Sequence, residues 1–374
     1  MSSLPLEPTE TLVRTLPIDA GQLDSPLRER RRLLGGVRPE DRMVLAATWL
    51  AGLSIAWLIC FRILPWHGLL AFSITTFVCG LILVCVTTLI TMGLSDVGDR
   101  VASSFIHAGG LVVAFTLITI VVFTFAKGAA GLPHISLYID DMSGVGPRDA
   151  LSRGGILHAI LGSLIEVGLA VMVTVPLGIG TAIYMTEIGG RFAKVVRTVV
   201  EAMTALPSIV AGLFIYTTLI MVFGFPSSGL AAACALAVMM LPIIARASDV
   251  VLRIVPGGLR EASLALGASR WKTVWSVVLP TARPGLATAL ILGIARGVGE
   301  TSPVLLTSGA STFFNLNPVD GVMNSLPLFI FSTVRSGEPI YITRAFAAAT
   351  VLLVLVLALF VAARMIARTS QGNR

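Results

Sequence analysis

The sequence predicts an all-α membrane protein, a polytopic helical bundle of about eight transmembrane helices. Apolar residues make up 55% of the 374 residues and charged residues only 13%, and the mean hydropathy is +0.91. These values lie outside the range of soluble domains. Several apolar runs reach the roughly 20 residues that a helix needs to cross about 30 Å of hydrocarbon. Helices are expected because, without water, each backbone polar group must find its partner within the chain.

Apolar runs place the predicted spans along the chain. The first two runs flank the short turn LPWHG at 64–68, so they predict a hairpin with Trp66 and His67 at its tip. Segments 127–155 and 309–342 are predicted to form two long loops on the same side of the membrane as the hairpin tip. The runs are roughly 43–64, 69–91, 105–126, 156–185, 206–224, 229–247, 285–308 and 343–366.

Lysine and arginine residues are unevenly divided between the two sets of loops that this topology creates. The loops on the N-terminal side hold twenty of the 27, and the opposite loops hold five. Because short loops rich in Lys and Arg stay in the cytoplasm, both termini are predicted to be cytoplasmic. The same asymmetry accounts for the net charge of +7, so no nucleic-acid partner is predicted. The basic run at 28–38 is expected to anchor the first span on the cytoplasmic side, and its alternative role is to bind anionic membrane lipid.

Composition divides the chain into four predicted regions. Residues 1–42 are polar and do not resemble a cleaved signal, so they predict a disordered cytoplasmic tail. An additional transmembrane hairpin with a cytoplasmic loop is predicted at 43–104, and the polar stretch LSDVGDRVASS at 94–104 marks its end. The main membrane domain is predicted at 105–366, and a cytoplasmic C-terminal tail at 367–374.

Motifs for covalent chemistry are missing from the sequence. It contains no GxxxxGK[ST] phosphate loop, no HExxH and no GxSxG. The four cysteines fall inside apolar runs and form no CxxC pair, so neither a zinc site nor a disulfide framework is predicted. We therefore expect that the chain is not an enzyme and that it holds no metal or cofactor of its own.

The longest predicted cytoplasmic loop after the N-terminal tail, about 248–283, contains short helices of its own. A Pro-Gly-Gly sequence at 256–258 interrupts the preceding helix, and LREASLAL at 259–266 predicts a new helix capped by Gly267. Two further prolines delimit the next helix. The first short helix has an apolar face that can bind in a groove on a soluble partner.

Within this loop an acidic residue precedes two small residues, and a glycine and a Leu-Pro pair follow at fixed spacings. The pattern resembles the EAA loop of binding-protein-dependent ABC importer permeases, with Ser in place of its third residue and Val in place of its Ile. The resemblance implies that the loop couples the membrane domain to a separate ATPase subunit, which would bind ATP and Mg. The coupling residues are Glu261, Ala262, Gly267, Leu279 and Pro280.

Four longer stretches narrow the resemblance to the phosphate-specific permeases of the PstA type. They are PLGIGTAIYMTEIG at 176–189, ALPSIVAGLFIY at 205–216, LPIIARASDVVLRIVPGGLREASLALGASRWKT at 241–273 and ILGIARGVGETSPVLLTS at 291–308. The resemblance implies a bacterial inner-membrane subunit that forms half of a pathway for inorganic phosphate. Its implied partners are a PstC-like second permease, a PstB-like ATPase dimer and an extracytoplasmic phosphate-binding protein. The predicted N-terminal hairpin departs from the six spans usual in the family.

Charged residues inside predicted spans mark a candidate pathway, because a mid-bilayer charge costs about 2.5–3.5 kcal/mol on insertion scales. Arg296 and Glu300 lie four residues apart, and we expect them on one helical face with Gly293, Pro303 and Thr307. A guanidinium offers an oxyanion a planar fork of N–H donors, for which Glu300 would compete. The alternative is an ion pair that only neutralises itself.

Glu166 and Arg246 complete the predicted pathway set. Glu166 lies in mid-span and would either pair with Arg296 across the bundle or form a hydrogen bond while protonated. Arg246 ends a predicted span on the cytoplasmic side, within the LPIIAR stretch that carries the family resemblance. Its alternative role is to anchor that span.

Two other functions remain open from the sequence. A permease for another oxyanion, such as sulfate or molybdate, fits the same charges. A secondary transporter or channel that works without ATP would also place charges inside a bundle. It gives no reason for the EAA-like loop, whose binding to an ATPase distinguishes the two classes.

Overall fold

The computed structural model describes residues 39–64, 68–91 and 93–369. Within these ranges the chain consists of helices joined by turns and irregular segments, with no β-strand. Seven helices are long and apolar enough to cross a membrane, and one bent pair of helices supplies an eighth candidate span. The predicted class, an all-α polytopic membrane bundle, is confirmed. Most of the predicted N-terminal tail, the hairpin tip with Trp66 and His67, and residues 370–374 lie outside the described residues.

The helices are named here in chain order. They are α1 (Pro39–Leu58), α2 (Leu69–Thr91), α3 (Leu94–Gly128), α4 (Ser136–Ile139), α5 (Leu157–Ile183), α6 (Gly190–Thr204), α7 (Ser208–Ile215), α8 (Gly229–Ile254), α9 (Gly257–Ala265), α10 (Arg270–Thr273), α11 (Leu279–Val298), α12 (Ser302–Thr307), α13 (Leu326–Val334) and α14 (Pro339–Thr369). Short π-helical segments continue α1, α5, α7 and α10: Ile59–Ile63, Tyr184–Ile188, Tyr216–Val222 and Val274–Val278.

Two compact units make up the chain, the first ending at Val113 and the second beginning at Ala114, inside α3. In the first unit α1 and α2 form the predicted hairpin. They approach closely where a Cβ added to Gly52 would lie 2.7 Å from the Gly80 Cα. Such small residues let the two helices pack closely through van der Waals contacts. These contacts hold helices together in a membrane, because the hydrophobic effect does not drive apolar helices together in lipid.

The second unit is built around α8, which packs between α5 and α11. Ile244 of α8 contacts Gly178 of α5 on one side and Gly293 of α11 on the other. The same helix places Met240 against Gly297 and Val251 against Gly285. Glycines on both neighbours therefore let the central helix approach them closely, as is typical of helix packing in membranes.

Several predicted boundaries need correction. The polar stretch 94–104, predicted as a loop, forms the first turns of α3. Hydropathy detects only the apolar part of a helix, so a polar extension of the same helix is missed. The predicted span 206–224 is also not one straight helix, because α6 and the segment Ser208–Val222 are bent by 106° at a short break. Pro207 lies in this break, where it cannot donate a backbone hydrogen bond.

The predicted loop 309–342 contains a packed helix. Leu326, Leu328 and Phe329 of α13 are buried, and α13 packs on α14. Segments 129–156 and 308–338 meet at the end of the bundle where α5 and α14 begin, and we call them the cap layer. Its segments are tied together by backbone hydrogen bonds, among them Met142 N to the Thr312 oxygen at 2.9 Å.

A buried arginine holds the cap layer to α14. The Arg344 guanidinium donates to the carbonyl oxygens of Arg153 at 2.7 Å and Ala150 at 3.2 Å, and the whole residue is 0% exposed. Asp141 joins the two segments of the cap layer, because it accepts a hydrogen bond from the Phe314 N–H. Burial raises its pKa, but hydrogen bonds from Ser143 and from the Phe314 N–H outweigh this and hold the pKa below its ordinary value.

We expect Arg344→Leu to lower the free energy of unfolding by about 3 kcal/mol, because hydrogen bonds from charged groups contribute about 1.5–3 kcal/mol each. The measurement is thermal unfolding of the purified chain in lipid nanodiscs. Arg148→Leu is the matched control in the same layer, since its ion pair with Glu338 at 3.0 Å involves an arginine side chain that is 86% exposed and such pairs contribute little. Equal shifts in the two variants would contradict the structural role of Arg344.

Candidate functional site

Arg296 and Glu300 lie at a break in the seventh predicted span. Helix α11 ends at Val298, and α12 begins only at Ser302. Across this break the Arg296 Nη2 lies 2.7 Å from the Glu300 Oε1. The arginine side chain is 53% exposed and the glutamate side chain only 8%. The structure therefore presents a guanidinium on the surface of the single chain, held by a largely buried carboxylate.

The predicted single helical face is wrong. Gly293 packs against Ile244 of α8, whereas Arg296 is exposed, and Glu300 is outside any helix. Pro303 explains the break, because it lacks the N–H that would donate to the Gly299 carbonyl and continue α11. Pro303 then packs on α7, where a Cβ added to Gly212 would meet its Cα at 2.6 Å.

Arg246 forms a second exposed ion pair. Its Nη1 lies 2.7 Å from the Oε1 of Glu201 on α6, and the side chains are 47% and 50% exposed. Sequence reasoning missed Glu201, although it is the only acidic residue in the otherwise basic and apolar α6. The α8–α11 packing places Arg296 roughly level with residue 241, so Arg246 lies about 7.5 Å further along α8 at 1.5 Å per residue.

Glu166 is separate from these pairs. It is 1% exposed, and neither carboxylate oxygen has a hydrogen-bond partner among the described residues. The predicted pairing with Arg296 is wrong, because Arg296 pairs with Glu300. The nearby Ser308 hydroxyl donates to the Met323 carbonyl at 2.5 Å. Glu166 is thus in the core beside the cap layer, while the two arginines are on the surface.

The predicted helix of the long loop is present as α9. Pro256 precedes it, and Gly267 follows with φ +82°. The Ala268 N–H donates to the Ser263 oxygen at 3.2 Å and the Gly267 N–H to the Leu264 oxygen at 2.9 Å. This pair of bonds is the Schellman cap, in which glycine is favoured at the left-handed position. The predicted cap is therefore confirmed.

Two contacts fix α9 on the bundle. Arg260 binds both oxygens of Glu187, which follows α5, with the closest approach at 2.9 Å, and it also donates to the oxygens of Leu252 and Val255. The Ser263 hydroxyl lies 2.9 Å from that of Thr273 in α10. The serine that departs from the EAA pattern thus ties α9 to the next helix. Sequence reasoning missed Glu187, although it lies in the quoted stretch YMTEIG.

The remaining coupling candidates occupy two environments. Glu261, Ala262 and Gly267 are exposed on the loop. Leu279 packs against the core around Leu252 and Val278, and Pro280 lies in the first turn of α11. The predicted second short helix is not separate, because residues Arg270–Val298 form one continuous helix with a π-helical segment before Pro280.

The comparisons with known proteins agree with the family resemblance. Residues 174–370, just over half of the chain, match the family described as the binding-protein-dependent transport system inner membrane component. The phosphate transport system permease protein PstA 1 of Mycobacterium tuberculosis is 38% identical over 269 residues, which cover 72% of this chain and 88% of that protein. The chain belongs to the PstA family of transport permeases. PstA of Haemophilus influenzae is 32% identical over 255 residues, 68% of this chain and 85% of that protein.

The comparison with solved structures also matches the inward-facing MetNI methionine ABC transporter, with a TM-score of 0.45 and 21% identity. The match covers 58% of this chain and 94% of that one. As a PstA-family permease, the chain is a transport subunit and a multi-pass membrane protein. Each of the two surface guanidinium groups offers N–H donors that can bind an oxyanion.

Proposed function

We propose that this chain forms half of the transmembrane pathway through which an ATP-driven importer takes up inorganic phosphate. The observation that carries the proposal is the exposure of Arg296 and Arg246 on helices of the membrane bundle. A charge facing lipid costs about 2.5–3.5 kcal/mol or more, so this surface requires water, an anion or another subunit against it. The names of the PstA relatives favour phosphate as that anion.

Each ion pair suits transient binding of an anion. A phosphate that leaves water needs counter-charge and hydrogen-bond donors, which a guanidinium supplies as a planar fork. Glu300 and Glu201 hold the two arginines in place when no anion is present and compete with phosphate when it binds. The sites are therefore weak, which allows the anion to leave. Glu166 remains a proposed pathway residue, although in the single chain it is buried and has no hydrogen-bond partner among the described residues.

The proposed assembly follows from the other surfaces of the chain. The exposed residues of α9 would bind a PstB-like ATPase dimer that holds ATP and Mg. Among them, Glu261 forms no ion pair with any of the described residues. A PstC-like permease would complete the pathway, and an extracytoplasmic phosphate-binding protein would deliver the anion to the cap layer. This arrangement implies a bacterial cytoplasmic membrane with both termini inside.

Phosphate uptake tests this function against the alternatives. Cells with and without the chain are given labelled phosphate or labelled sulfate at low external concentration, and initial rates are compared. Loss of phosphate uptake alone is expected on deletion. Loss of sulfate uptake alone would assign the permease to another oxyanion, and uptake that survives removal of the ATPase subunit would assign a secondary transporter or channel.

We expect the purified chain to be inactive by itself, because one α9 offers one docking site while an ATPase dimer needs two. A second permease should co-purify with the chain from membranes solubilised in mild detergent. The measurement is phosphate accumulation in proteoliposomes that contain either the chain alone or the full assembly. Accumulation by the chain alone would contradict the half-pathway assignment.

A further inference from the structure

A basic cavity lies beside the loop that carries α9. It has a volume of about 600 Å³ and is lined by side chains from four helices and by the segment after α5. Four of its lining residues are arginines: Arg197 of α6, Arg253 of α8, Arg260 of α9 and Arg270 of α10. The pathway arginines of the proposed function do not line it.

The charges of the cavity are not balanced. Arg260 pairs with Glu187 at 2.9 Å, while Arg197 and Arg253 share the carboxylate of Asp249 at 3.4 Å and 3.2 Å. Arg270 has no ion pair or hydrogen bond from its side chain within the part of the chain that the structure describes. Four guanidinium groups thus face two carboxylates, an excess of two positive charges.

Hydrogen-bond donors also remain unused. The buried Nε of Arg197 has no partner among the described residues. Arg253 uses only its Nε, toward Asp249, and within the described part of the chain both of its terminal nitrogens are free to donate. With Arg270, three guanidinium groups from three different helices still have donors. This arrangement suits a tetrahedral oxyanion with several acceptor oxygens better than a planar carboxylate with two.

We propose that this cavity binds a phosphate group, and that the bound group restrains α9 against the bundle. An anion held by arginines of α6, α8 and α10 would link the loop that carries α9 and α10 to helices α6 and α8 of the bundle. During coupling, α9 would have to move relative to α6 and α8. The cavity lies on the cytoplasmic side only if α9 binds an ATPase there, so the regulatory part rests on the proposed function. As the cytoplasmic phosphate concentration rises, the bound dianion is expected to reduce the coupling of ATP hydrolysis to transport. This would limit further phosphate import.

Binding is tested on the full chain that carries Arg296→Gln, which removes the pathway arginine nearest the helix break. The chain is placed in phosphatidylcholine nanodiscs, and binding of labelled inorganic phosphate is measured by equilibrium dialysis. Adding Arg270→Gln is expected to weaken binding at least about tenfold, as expected for loss of one charged hydrogen bond. Arg191→Gln, a change at an exposed α6 arginine that does not line the cavity, should leave binding unchanged.

A second arm distinguishes the source of the phosphate group. Nanodiscs that contain phosphatidic acid are compared with those of phosphatidylcholine alone. Retention of phosphatidic acid that Arg270→Gln abolishes would assign a lipid headgroup, and binding of free phosphate alone would assign the soluble anion. Equal binding in the Arg270→Gln and Arg191→Gln chains, in both arms, would overturn the site. Uptake at low phosphate is measured separately, so a failed pathway assignment is not confused with a failed cavity assignment.

Discussion

Arg296→Gln is expected to reduce initial phosphate uptake by at least about 100-fold while the importer still assembles in the membrane. Loss of two charged hydrogen bonds to the anion costs about 3 kcal/mol or more, and each 1.4 kcal/mol corresponds to a factor of about ten. Insertion should not suffer, because the change removes a charge from a membrane helix. Uptake is measured in variants matched for membrane abundance, with ATPase activity recorded alongside.

Two further variants separate charge from geometry. Arg296→Lys keeps the charge but not the planar fork, so we expect an intermediate rate. Glu300→Gln should reduce uptake only a few-fold, because Arg296 is 53% exposed and is solvated when its partner is lost. Arg364→Gln, at an exposed position near the end of α14, is the matched control. Wild-type uptake in Arg296→Gln would leave the pair as a self-neutralising feature of the helix break.

The second large effect is expected in coupling. Gly267→Val forces a β-branched residue into φ +82°, and left-handed geometry costs an L-residue roughly 1–2 kcal/mol. The cap would open and α9 would change its orientation on the ATPase. We expect uptake to fall at least about tenfold, by the 1.4 kcal/mol per decade relation, while ATP hydrolysis by the assembly continues. The measurement is the ratio of phosphate transported to ATP hydrolysed in proteoliposomes.

Gly258→Val, in the first turn of the helix that Gly267 caps, is the matched control. Gly258 does not have a left-handed φ, and an added Cβ would meet nothing within 4 Å. Glu261→Lys reverses an exposed charge without altering the cap, so it should uncouple through the docking surface itself. If Gly267→Val and Gly258→Val gave the same transport ratio as the unmodified chain, α9 would not be the coupling element.

The features of this chain that the sequence determined are those that depend on nearby residues. Composition fixes the membrane class, because apolar runs long enough to span lipid have few alternatives to a helix. The cap of α9 was equally predictable, since Gly267 follows a short amphipathic segment and only the local backbone decides its left-handed conformation. The spacing of the loop also carried the family resemblance, which the PstA relatives confirm.

Tertiary structure alone decided how charged side chains from different helices are paired. Arg246 pairs with Glu201 and Arg260 with Glu187, partners that are 45 and 73 residues away. Pro303 indicates a kink before α12, but hydropathy is the same for one straight span and for two pieces that meet at a bend. Pro303 permits that break, but the packing of Gly212 against it fixes the geometry. Contacts between helices far apart in the chain depend on their packing, which short-range periodicity does not encode.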